Sequence, residues 1–123
     1  MRDIKFRIWD KDSKKIYYQD DLILTFDKVG EDVYLSKNNE VTPLYRYELM
    51  QYTGLKDKNC NEIYEGDIVR YYSTYVDSWN GKRYEINYTQ DGEWALGEDW
   101  LLSKKWRYCE VIGNIYENPE LLK

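Results

Sequence analysis

The chain has 123 residues, the size of one domain, taken here as 1–123 and large enough to bury a core. Its 18 Lys and Arg against 23 Asp and Glu leave a net charge of -5, which opposes non-specific phosphate binding. Histidine is absent, and that excludes Ser-His-Asp triads, Cys-His nucleophile pairs and every His-based metal site.

Ile4, Phe6 and Ile8 alternate with Lys5, Arg7 and Trp9, the spacing of a half-buried first strand. The polar run 10–14 reverses the chain, and Ile16, Tyr17 and Tyr18 return as a hairpin partner. A β-prone run over 22–26 is followed by a turn at 27–32 containing Gly30. Val33, Tyr34 and Leu35 then complete a second hairpin. The segment 37–40 reads as a loop, and Pro43 marks a sheet edge or a strand start.

The centre of the chain is the stretch LMQYTGLKDKNCNEIYEGDIVR, residues 49–70. Met50, Tyr52 and Leu55 are spaced as in a strand, and Gly54 permits a bend. The polar run 56–61 is a tight loop, Ile63 and Tyr64 resume the apolar pattern, and Glu65, Gly66 and Asp67 turn into a strand at Ile68 and Val69. The strand continues through Tyr71, Tyr72, Tyr75 and Val76 and breaks at 78–81, where Asn80-Gly81 signals a hairpin. Tyr84, Ile86 and Tyr88 alternate in the return strand, 90–92 is a turn, and Trp94, Ala95 and Leu96 follow it. The segment 97–105 fits either a short strand or a helical turn. A last strand over 107–116 places Cys109, Val111, Gly113 and Ile115 on one side. Asn118 and Pro119 then read as N-cap and first-turn proline of a short helix ending at Leu122. The pattern predicts a mostly β protein, an antiparallel barrel or pseudo-barrel of short strands and many turns.

Three separated segments carry a family resemblance. MQYTGLKDKN, EIYEGDIV and VIGNIYENPELL resemble the hallmark segments of the YopX-like proteins of bacteriophages and prophages of Gram-positive bacteria. The opening RDIKFRIWDKDSKKIYY is similar to that family's amino terminus. The resemblance implies a small, mostly β phage or prophage protein. It departs at Cys60, where the family usually has Gly after Asn59. One of these two residues is expected at positive φ, Asn59 before Cys60, because Asn tolerates the left-handed region.

Aromatics make up 17% of the chain, with 14 Tyr and 5 Trp against 2 Phe, so most rings have a polar end suited to interfaces. No apolar run approaches the ~20 residues that cross a bilayer, and no signal-peptide core follows Met1, so a bacterial cytoplasmic location is expected. Cys60 and Cys109 share no motif and are expected as free thiols; the sequence calls for no cofactor and no metal.

Tyr64, Glu65 and Asp67 are candidates for a ligand surface, although Gly66 and Asp67 are also what a turn into a strand needs. Glu62, Glu65 and Asp67 give no fixed spacing for hydrolysis or a hard metal. Lys82-Arg83-Tyr84 and Lys104-Lys105-Trp106-Arg107-Tyr108 set cations beside rings. That composition suits single-stranded nucleic acid, and it equally suits an exposed strand edge guarded by cations. Gly54, Asn59, Gly66, Asp67, Gly113, Asn118 and Pro119 are expected to serve turns. The favoured function is non-catalytic: binding of a protein partner or self-association, with no membrane role. Nucleic-acid binding through the basic-aromatic strips, which the net charge disfavours, and an acidic DNA mimic are the alternatives.

Overall fold

The structure is a computed structural model and describes residues 4–18, 23–26, 33–37, 40–43, 47–72 and 80–123. It is mostly β, in curled antiparallel sheets, as expected from the alternation and the turn spacing. The chain divides into two compact units, Lys5–Gln51 and, with residues 1–4, Tyr52–Lys123.

In the smaller unit, strands β1 (Phe6–Asp10) and β2 (Lys15–Tyr18) form the expected hairpin, with Ile8 opposite Tyr17 and Asp10 opposite Lys15. Asp10 closes it: Oδ1 accepts the N–H groups of Asp12 at 3.0 Å and Ser13 at 3.4 Å. The start of β6 (Tyr47–Lys56) pairs with the other side of β1, Ile8 opposite Leu49. With β2 and β6 on its two sides, β1 is the interior strand here, and it does not keep the expected alternation. Arg7 and Ile8 are both buried, and Ile4, expected on the apolar side, is 67% exposed because it precedes the strand. Strands β3 (Ile23–Phe26), β4 (Val33–Lys37) and β5 (Glu40–Pro43) make a separate antiparallel sheet with β4 in the middle. The second hairpin is therefore present, while its turn at 27–32 lies outside the described residues. Pro43 ends an edge strand, where its missing N–H costs no ladder bond.

The larger unit begins with the second half of β6. Gly54, at φ 86, sits where the β6 register shifts between Tyr52 and Lys56, so the expected bend is a bulge inside a continuous strand. Thr53 Oγ1 stitches the bulge by donating to the Ile63 carbonyl at 2.7 Å and accepting the Leu55 N–H at 3.2 Å. Strand β7 (Glu62–Tyr64) pairs with β6. Strands β8 (Asp67–Tyr71), β9 (Arg83–Tyr88), β10 (Trp94–Leu96), β11 (Trp100–Leu101) and β12 (Cys109–Asn114) form one antiparallel sheet in the order β11-β10-β9-β8-β12. Their inward residues Val69, Tyr71, Tyr84, Ile86, Leu96 and Cys109 join Ile63 and Leu102 in the core. A fully buried aliphatic side chain of this kind contributes about 1.5–3 kcal/mol. Tyr88, expected to continue the inner face, is 55% exposed at the end of β9 and meets Trp94 edge-on at 4.7 Å. Of the strand expected past Tyr72, residues 73–79 lie outside those described.

Over 97–116 one ambiguity is resolved and two expectations are corrected. The ambiguous segment is both elements at once: β11, then a one-turn helix α1 (Leu102–Lys105) anchored by the fully buried Leu102. Trp106–Tyr108 is a 3-10 turn, so Arg107 and Tyr108 precede β12 instead of opening it. Ile112 bulges between Val111 and Gly113, which ends the one-sided alternation after Val111.

Pro119 starts the terminal 3-10 turn Pro119–Leu122 as expected, but Asn118 makes no side-chain cap bond there. Its Oδ1 reaches back to accept the Asn114 N–H at 3.3 Å and fills the space above Gly113. A Cβ on Gly113 would stand 2.5 Å from that oxygen and 3.0 Å from the Asn118 Cβ. Gly113→Ala is therefore expected to destabilise by about 1–3 kcal/mol in urea unfolding. Adding Asn118→Ala should recover part of the loss; additive losses would disprove the clash.

The loop 57–61 is built around one carboxylate. Asp57 is 2% exposed and Oδ1 accepts the N–H groups of Asn59 at 2.8 Å and Asn61 at 2.9 Å. The Cys60 N–H donates to the Asp57 carbonyl at 3.0 Å. Within this turn the left-handed residue is Cys60, at φ 66, and not Asn59, where it was first expected. Tying the Asn59 amide to the carboxylate delays the reversal by one residue. Cys60→Gly is accordingly expected to stabilise the protein by up to about 1 kcal/mol, relief of the Cβ clash exceeding the entropy of Gly. Denaturant midpoints under reducing conditions give the sign, and a lower midpoint for the Gly variant would remove the strain argument.

Candidate functional site

The two basic-aromatic segments, 20 residues apart in sequence, meet at one end of the five-stranded sheet. That end is where β8 finishes and β9 and β12 begin. The Tyr71 N–H donates to the Lys82 carbonyl at 2.8 Å, and Arg70 stands opposite Arg83 on one side and Glu110 on the other. The Tyr72 N–H donates to the Tyr108 carbonyl at 2.8 Å, and the Lys58 N–H to the Cys109 carbonyl at 2.9 Å. Backbone bonds thus gather Lys58, Arg70, Lys82, Arg83, Lys105 and Arg107 into one region, with Lys104 beside them on α1.

The rings of this region already carry cations. Lys105 Nζ lies 4.4 Å from the Trp100 ring centre, with Tyr71 and Tyr108 at 5.7 and 6.0 Å. Tyr71 stacks on Trp100 at 6.4 Å and meets Tyr108 edge-on at 6.3 Å. Lys58 Nζ lies 3.8 Å above Tyr72, and Arg107 is 5.2 Å from Trp106. Each contact of this kind is worth about 0.5–2 kcal/mol and holds the ammonium or guanidinium against the surface. Leu102, 0% exposed, seats the helix from one end. At the other end the Cys109 thiol, equally buried, donates to the Lys105 carbonyl at 3.2 Å.

Lys104 and Arg107 are exposed, and Lys105 and Trp106 half-buried. None of the four lies on a strand edge. Lys82 and Arg83 lead into β9, an interior strand, so edge protection does not account for either basic segment. The β12 edge is guarded differently. Asp57 Oδ2 accepts the Val111 N–H at 2.9 Å, so the loop that precedes β7 covers it. The Lys58–Glu110 contact at 3.8 Å joins the same loop to β12, both side chains about one-third exposed. Sequence inspection overlooked Lys58, Tyr71, Tyr72 and Trp100 as parts of this site, because only the sheet brings them to Lys105 and Tyr108.

The other candidate segment is interior. Tyr64 is 3% exposed, its ring tilted against Tyr52 at 5.4 Å. Asp67 is 2% exposed, and Oδ2 accepts the Tyr64 N–H at 2.7 Å across the turn. Gly66, at φ 84, donates to the Ile86 carbonyl and accepts from the Ile115 N–H, both at 2.9 Å. Glu65 is half-buried; burial and then Glu65 raise the Glu85 carboxyl above the usual range. These residues tie β7, β8, β9 and β12 together. They are not gathered with the cationic region, and among the described residues no group of three Cys, Asp or Glu is placed to hold a metal ion. No helix among the described residues is long and apolar enough to cross a membrane.

Two solved structures resemble the chain over its full length. Protein EF1440 from Enterococcus faecalis superimposes with a TM-score of 0.68 at 28% identity, covering 100% of both chains. Protein yopX from Bacillus subtilis superimposes with a TM-score of 0.63 at 23% identity, covering 100% of this chain and 98% of that one, and shows the fold alone. Among curated proteins no relative matches. The family model described as YopX protein matches residues 5–123, and with nearly the whole sequence matched the chain belongs to the YopX family.

Proposed function

We propose that this protein is a non-catalytic binding protein that docks an acidic segment of a protein partner on the cationic end of its larger unit. The observation that carries this is the convergence of Lys58, Lys82, Arg83, Lys104 and Arg107 at one sheet end in a chain whose net charge is -5. A local field opposite in sign to the whole molecule steers and orients a partner. Half-buried Trp106 and Tyr108 supply the aromatic contact area that interfaces favour. The setting implied by the family resemblance is that of a phage or prophage accessory protein in the bacterial cytoplasm.

Single-stranded nucleic acid is the second reading. It needs open ring faces for stacking, and here Lys105, Lys58 and Arg107 lie over Trp100, Tyr72 and Trp106. The test uses Lys104→Glu/Arg107→Glu, two exposed positions whose reversal should leave folding intact. A synthetic Glu-rich peptide is titrated into both proteins by fluorescence polarisation. Binding by the parent, lost about tenfold or more in the variant, is the expected result. Equal binding by both proteins, or none by the parent, overturns the docking face. Oligonucleotide binding tighter than the peptide, falling steeply with salt, would establish the second reading instead.

A further inference from the structure

Lys105 differs from the exposed cations around it. It is half-buried, and its ammonium lies 4.4 Å from the Trp100 ring centre, 5.7 Å from Tyr71 and 6.0 Å from Tyr108. The Tyr71 and Trp100 planes are 19° apart and Tyr108 stands at 74° to Tyr71, so three walls of a box close on one cation. The walls come from β8, β11 and the 3-10 turn Trp106–Tyr108, and Tyr71 is itself part of the core. The Cys109 thiol, donating to the Lys105 carbonyl at 3.2 Å, fixes the other end of the residue.

A cation taken partly out of water is commonly paired with a carboxylate. Here rings stand in that place: among the described residues Lys105 Nζ makes no ion pair and donates no hydrogen bond. Ring faces attract the charge without cancelling it, because they bring no net negative charge of their own. They also leave the N–H donors of the ammonium without an acceptor atom from the described residues. The result is a positive centre that is held in place and still open to an anionic partner.

We propose that Lys105 Nζ seats one carboxylate of the acidic segment and contributes more to docking than the exposed Lys104 beside it. This rests on the docking reading and names the residue and the ligand group on which it turns. An exposed lysine must give up the rotamer freedom of its long stem to hold a partner. The rings have already ordered the Lys105 side chain, so pairing there costs little further freedom. The rings also keep water from one side of the pair, and a charge pair is stronger where less water screens it. Interface energy concentrates at a few ordered sites where contact with the partner excludes water.

The synthetic Glu-rich peptide, titrated by fluorescence polarisation into the parent, Lys104→Met and Lys105→Met, tests this. Both variants lose one charge and keep an unbranched stem. Lys105→Met should weaken the peptide about tenfold or more, and Lys104→Met about threefold at most. Lys105→Arg, which keeps a cation on the rings, should stay within about threefold of the parent. NMR gives a direct readout that needs no substitution. The Lys105 ε-methylene protons, shifted upfield by the ring currents of the box, should move on titration and saturate with the dissociation constant that polarisation gives. A lysine that only braces the turn would not respond in this way. Equal losses for the two Met variants, or ε-methylene protons that stay put while the peptide saturates, would overturn the proposal and leave the docking face standing. A parent that binds no peptide would remove both.

Discussion

Asp57→Ala is expected to lower stability by about 3–4 kcal/mol, a large share of the 5–15 kcal/mol that holds a domain together. The carboxylate accepts three backbone N–H groups, two from its own loop and one from Val111, 54 residues away. Charge-assisted bonds contribute about 1.5–3 kcal/mol each, and three that share one carboxylate do not add in full. Truncation also leaves three donors without their acceptor, two on exposed Asn59 and Asn61, where water can replace it in part, and one on half-buried Val111. Asp57→Asn should lose less, about 2 kcal/mol, because one oxygen remains while the amide NH₂ faces an N–H. Removing Glu110, which meets Lys58 only at 3.8 Å and near the surface, should cost under about 0.5 kcal/mol. Urea unfolding of the three variants orders them, and a loss below about 1 kcal/mol for Asp57→Ala would show that the loop is not fastened by this carboxylate.

Stability should also fall as pH rises above 9. Burial, and secondarily the Asp57 carboxylate, push the Cys109 thiol from 9.0 up to about 12, with Lys105 opposing. Burial, then Asp99, push the Tyr84 hydroxyl from 10.0 up to about 12. Both groups are neutral when protonated, so between 9 and 12 the unfolded chain releases protons that the folded chain keeps. Unfolding is thereby favoured by up to about 1.4 kcal/mol per pH unit for each group, or about 2–3 kcal/mol by pH 11 for Cys109 alone. The stability these groups contribute is complete below pH 9 and is lost as pH passes through the folded values. Urea midpoints at pH 8 and pH 11 under reducing conditions measure it. Cys109→Ala, whatever its stability at pH 8, should show the shallower slope, and parallel slopes would refute the assignment.

Periodicity and turn chemistry made most of the fold legible. Tyr84 and Ile86 alternate and are inward; Asp10, Gly66, Gly92 and Asn80-Gly81 mark turns that exist. Alternation misled at Arg7, which is buried beside Ile8, and where a bulge intervened, as at Ile112. The segment 97–105 fits strand and helical turn alike, and Arg107 and Tyr108 read as strand, because these residues carry no helical period. The helical turn at 102–108 forms because Leu102 and Cys109 bury themselves in the core at its two ends, a long-range cause that local pattern does not contain.

The sequence by itself determined the β class, the turn residues, the family and the absence of His chemistry, since each depends on residue type and short spacing. Only the tertiary structure decided where the chemistry lies. It turned Tyr64 and Asp67 inward to lock strands and placed positive φ on Cys60 because Asp57 holds the Asn59 amide. It set Lys58, Lys82 and Lys105 at one sheet end. These depend on cross-strand register, which joins residues dozens of positions apart and leaves no trace in any short window of sequence.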